Sequence, residues 1–154
     1  MSKQLASVLR AAAKQLLLPT NKYRWTSITQ CNCGVVAKIA CNLNDDELHD
    51  KLKDCVIGVW DGMAVDEFQK CDVTGLPVNQ VFRVLALLGL TPKDIRDLEA
   101  LRDPAIRRAA GLKRHSESSN DYCTPVAVAA YMRAWADMID KPLKQPRRSK
   151  GRSQ

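Results

Sequence analysis

The stretch Thr124-Pro125-Val126-Ala127-Val128-Ala129-Ala130-Tyr131-Met132-Arg133-Ala134-Trp135-Ala136-Asp137-Met138-Ile139 decides the fold class. Val128, Tyr131, Met132, Trp135, Met138 and Ile139 recur at helical rather than alternating spacing, so they share one face of an α-helix. Thr124-Pro125 suits its opening, because proline is tolerated where the first backbone N–H has no partner anyway.

Similar patterns precede it. Ser2 caps a first helix with Leu5, Val8, Leu9, Ala12 and Leu16 on one face, ending near Leu18 before Pro19. Thr20 to Gln30 reads as a loop, with Tyr23 and Trp25, anchored by the tryptophan. A second helix opens near Asn32 and runs through Val35, Val36 and Ile39. A third starts at Asn44, where Glu47 completes a capping box, and carries Leu48, Leu52, Cys55 and Val56.

Pro77 begins a longer helix with Val78, Val81, Phe82, Leu85 and Leu88 on a wide apolar face. Gly89 ends it, and Thr91-Pro92 restarts the chain as a helix with Ile95, Leu98 and Leu101 inward. Asp103-Pro104 opens a short helix to Gly111, and Lys113 to Asp121 is a polar loop. The β-branched run near 56–60 is the one candidate strand, weakened by Gly58 and Gly62. Trp60, Phe68, Phe82 and Trp135 read as core, His49 as surface, and Asp61, Asp66, Glu67 and Asp72 as a solvated acidic loop. The expectation is a mainly α protein: a compact bundle of six or seven helices over 1–140, followed by a basic disordered tail over 141–154.

At 154 residues, with 45% hydrophobic and 27% charged residues, the chain is long enough and apolar enough to bury a core. No apolar run approaches the roughly 18 residues that a membrane span needs. No secretory signal pattern is visible, so Cys31, Cys33, Cys41, Cys55, Cys71 and Cys123 are expected as reduced thiols in a cytoplasmic, monomeric protein. The amphipathic, acid-free N-terminal segment also has the composition of an organellar transit peptide, the alternative address.

The formal charge of +7 is unevenly placed. Residues 1–44 carry Lys3, Arg10, Lys14, Lys22, Arg24 and Lys38 with no acid, whereas residues 45–103 hold 13 acidic and 7 basic side chains. The end of the chain adds Lys141, Lys144, Arg147, Arg148, Lys150 and Arg152, again without an acid. Acid-free basic ends gain affinity for a polyanion by counterion release, or act as solvated termini. The leading expectation is therefore a non-enzymatic binding protein, without a cofactor, whose ends engage an acidic macromolecule: nucleic acid, a ribonucleoprotein or an acidic protein surface.

Two other readings centre on Cys31-Asn32-Cys33-Gly34. A thiol at a helix start has its thiolate favoured by the helix dipole and by free N–H groups, and Cys33 has that position. Cys33-Gly34-Val35-Val36-Ala37 resembles the Cys-Gly opening of the nucleophile helix in papain-like cysteine peptidases. That resemblance implies a hydrolase or transferase with Cys33 as nucleophile, His115 as base and Asn120 or Asp121 orienting it. Alternatively Cys31 and Cys33 bind a soft metal together with Cys71, Cys123 or His115. Leu85 to Leu101 also has a helix-turn-helix outline, but Asp94, Asp97, Glu99 and Asp103 give its second helix an acidic face that suits packing better than a DNA groove.

Overall fold

The computed structural model describes residues 2–53, 79–116, 118 and 120–141; side chains are described throughout these except at 49, 51–53, 79 and 80. Among the described residues there are seven α-helices and no strand: α1 Lys3–Leu16, α2 Asn32–Cys41, α3 Asp45–Lys53, α4 Asn79–Leu87, α5 Pro92–Ala100, α6 Pro104–Ala109 and α7 Pro125–Asp140. A 3-10 turn, Asp121–Cys123, lies just before α7. The expected strand near 56–60 lies outside the described residues, as do Trp60, Phe68, the acidic residues 61–72, Pro77 and 142–154.

The helix ends follow from local chemistry. The Leu5 N–H donates to Ser2 Oγ at 3.3 Å, satisfying one of the donors that a helix start leaves without a partner. Asn44 and Glu47 form the expected reciprocal box: the Asn44 N–H reaches Glu47 Oε2 at 2.8 Å, and the Glu47 N–H reaches Asn44 Oδ1 at 2.9 Å. Thr91 and Asp94 form a second box at α5. Behind α4, Gly89 takes φ +95°, a left-handed conformation that costs glycine little. The Leu90 N–H then bonds back to the Leu85 carbonyl at 3.1 Å, so the turn satisfies the helix end and buries Leu90.

Among the described residues α1 and α7 make the most extensive interhelical interface, and α2 packs on α1, α4 and α5. Leu5, Leu9, Ala12 and Leu16 of α1 and Val128, Tyr131, Met132 and Trp135 of α7 are buried, as their spacing requires. Outside this apolar seam, Arg10 pairs with Asp137 at 2.8 Å and with Asp140 at 2.6 Å. Met138, expected inward, is 37% exposed. It borders a groove of about 410 Å³ with Ile106 and Trp135. No helix among the described residues is long and apolar enough to cross a membrane.

Candidate functional site

The start of α2 is built from short-range contacts that the Cys-x-Cys-Gly pattern makes possible. Cys31 is the N-cap, and its sulfur accepts the Gly34 N–H at 3.4 Å while its thiol faces the Ile28 carbonyl at 3.7 Å. The incoming loop passes so close to the helix that a Cβ on residue 34 would sit 1.9 Å from Ile28 O. Glycine is therefore a steric requirement here.

Between the two cysteines, Asn32 is fully buried and ties α2 to α5 and to the 3-10 turn. Its Nδ2 donates toward the carbonyls of Leu98 at 3.2 Å, Glu99 at 3.0 Å and Tyr122 at 3.3 Å. The Tyr23 hydroxyl lies 2.6 Å from both Asn32 Oδ1 and the Tyr122 carbonyl and shares its one proton between them. Trp25 adds an indole N–H to the Glu99 carbonyl at 3.1 Å and packs against Tyr122 with its ring tilted by 54° and ring centroids 4.6 Å apart. Burial, reinforced by the charge of Glu99, pushes the Tyr23 phenol well above its ordinary range, so it remains a hydrogen-bond donor.

Cys33 is the second residue of α2 and is 1% exposed. Its N–H donates to Glu99 Oε2 at 3.3 Å, and its sulfur lies 4.0 Å from the Ile95 carbonyl. Burial, and then the nearby Glu99 carboxylate, push the Cys33 thiol up. The helix dipole favours a thiolate at this position, but desolvation and a facing carboxylate outweigh it. Desolvation also raises the Glu99 carboxyl, against the opposing effect of hydrogen bonds from Cys33 and Cys31.

The remaining residues of the cysteine-peptidase resemblance occupy other surroundings. His115 is half-buried in the loop after α6, and Asn120 is exposed ahead of the 3-10 turn. The Asp121 carboxylate is taken by Arg107 at 2.6 Å. Among the described residues, Glu99, Cys31 and a main-chain carbonyl act on the Cys33 sulfur, and no imidazole bonds to it. Of the possible metal ligands, Cys31 and Cys33 are buried, Cys123 is exposed and Cys71 lies outside the described residues. No group of three His, Cys, Asp or Glu side chains able to hold a metal is assembled among the described residues.

Of the basic N-terminal residues, Arg10 is held by two carboxylates, and buried Lys38 pairs with Asp45. Lys3, Lys14, Lys22 and Arg24 are exposed, as is Lys141, while Lys144, Arg147, Arg148, Lys150 and Arg152 lie outside the described residues. In the helix-turn-helix outline, Ile95 and Leu98 of α5 are buried against the core.

Asn32, Glu99 and Arg107 are organising residues that periodicity does not reveal. Arg107 is 2% exposed and spreads its guanidinium over the carbonyls of Leu101 and Lys113 and the carboxylate of Asp121. Comparison of the chain with protein-family models, curated proteins and solved structures finds no significant match.

Proposed function

We propose that this chain is a non-enzymatic binding protein whose basic ends engage an acidic macromolecular partner. The observation that carries this reading is the segregation of charge: two acid-free ends hold six cations each, around an acidic middle. Exposure of Lys3, Lys14, Lys22, Arg24 and Lys141 supports it, because a cation in solvent can trade condensed counterions for a phosphate or carboxylate contact. The burial of Cys33, which disfavours its thiolate, counts against nucleophilic chemistry at this thiol.

The test is a salt titration of binding to a generic nucleic acid, with the full-length chain and with a chain lacking residues 141–154. The reading expects binding that weakens steeply with salt, and a shallower dependence after truncation, by about 0.9 in log–log slope for each phosphate no longer neutralised. Full-length protein that fails to bind nucleic acid or an acidic polypeptide at low salt overturns it.

A further inference from the structure

The turn after α6 shows a further concentration of positive charge, on described and folded backbone. Gly111 at φ +72° reverses the chain, and the Leu112 N–H returns to the Arg107 carbonyl at 2.9 Å. From beneath, Arg107 holds the returning segment by two donors on the Lys113 carbonyl, at 2.8 Å and 2.6 Å. The same guanidinium pairs with the Asp121 carboxylate at 2.6 Å. Arg108, Lys113 and Arg114 are exposed around these bonds, and none of the three forms an ion pair among the described residues.

These cations are not needed to finish the helix. The Ile106, Arg107 and Arg108 carbonyls already accept the N–H groups of Ala110, Leu112 and Gly111. A planar guanidinium presents its donors in a fork that fits two phosphate oxygens, and two of the three side chains are arginine. Holding the backbone in place beforehand lowers the ordering cost of binding.

We propose that Arg108, Lys113 and Arg114 form a phosphate-contacting patch that binds the backbone of nucleic acid, a proposal that rests on the acidic-partner reading and narrows it. The patch positions the protein on phosphates and reads no base sequence.

The experiment uses the full chain, a double-stranded DNA oligonucleotide of arbitrary sequence, and polyglutamate as an acidic polypeptide. The triple variant Arg108→Ala, Lys113→Ala, Arg114→Ala is compared with Arg83→Ala, Arg96→Ala, Arg133→Ala, which removes the same charge from exposed positions on α4, α5 and α7. The Lys113 carbonyl survives its substitution, so the Arg107 bonds remain, and circular dichroism checks both folds.

The patch variant is expected to lose close to three units of salt slope, a differential of about 40-fold in affinity between about 50 and 200 mM salt, while the control keeps its slope. Equal losses in both variants overturn the patch but leave the acidic-partner reading intact. An equal loss on polyglutamate overturns the assignment to phosphate. Parent protein that binds neither probe removes the broader reading, and the patch with it.

Discussion

The α1/α7 seam and the α2/α5 junction join helices in opposite ways. Between α1 and α7 the contact is apolar, with its polar partners, Arg10, Asp137 and Asp140, at the solvent edge. Between α2 and α5 the contact is built on Asn32, whose amide satisfies main-chain carbonyls on α5 and in the 3-10 turn, and on Glu99, which receives an N–H of α2. An apolar seam tolerates small shifts because burial is non-directional. A buried polar junction has one arrangement in which every group is satisfied, and each unmade bond costs the desolvation of its partners. The first kind of contact supplies cohesion, and the second fixes how the elements meet.

The largest expected effect is at the close approach beside that junction. Gly34→Ala places a methyl group against Ile28 O, and main chain cannot move aside as a flexible side chain can. Urea denaturation should show a loss of about 3–5 kcal/mol, in the range of severe core overpacking. A loss below about 1 kcal/mol would mean that the loop is not held against α2.

Asn32→Ala comes next. It strips the amide from the Leu98 and Tyr122 carbonyls and leaves the Tyr23 hydroxyl with one acceptor, for an expected cost of about 2–4 kcal/mol. Asn32→Asp should be no better, since it buries a charge among carbonyl oxygens. If both variants melt with the parent protein, the junction is not organised by the amide.

Glu99 gives the comparison a pH axis. Burial raises its carboxyl, so the folded state holds the proton more tightly than the unfolded chain does. The stability linked to Glu99 is therefore fully present below the ordinary carboxylate range and is lost as pH rises through the raised value. Glu99→Gln keeps an acceptor for the Cys33 N–H and removes the half-buried charge. Its stability relative to the parent protein should therefore improve on going from about pH 4 to about pH 7, as measured by urea denaturation. A relative stability that falls over that interval would show the carboxylate to be net favourable in place.

The smallest effect belongs to the apolar seam. Arg10→Ala removes two solvent-edge ion pairs and leaves the buried leucines and alanines of α1 untouched. The thermal midpoint should fall only slightly, and less still in high salt. A drop comparable to that of Asn32→Ala would erase the distinction between the two joints.

The amino-acid sequence by itself determined the helical class, most helix boundaries, and the buried faces of α1, of α5 and of α7 as far as Trp135, but not the exposure of Met138 beyond it. It did so because apolar periodicity, proline in a first turn, capping boxes and a glycine after a helix are local signals that act within a few residues. It also displayed the acid-free basic ends, since charge is additive along a chain. What Cys31 and Cys33 face was not legible. The Cys-Gly opening reads as a nucleophile helix, whereas the fold uses Cys31 as a cap, Gly34 for close approach and Cys33 as a buried neighbour of Glu99. Tyr23 and Tyr122 are 99 residues apart in sequence, and Asn32 and Glu99 are 67 apart, so no spacing rule links them. Only tertiary structure decided those meetings, because a hydrogen bond between distant residues depends on how the helices pack, and packing is a property of the whole chain.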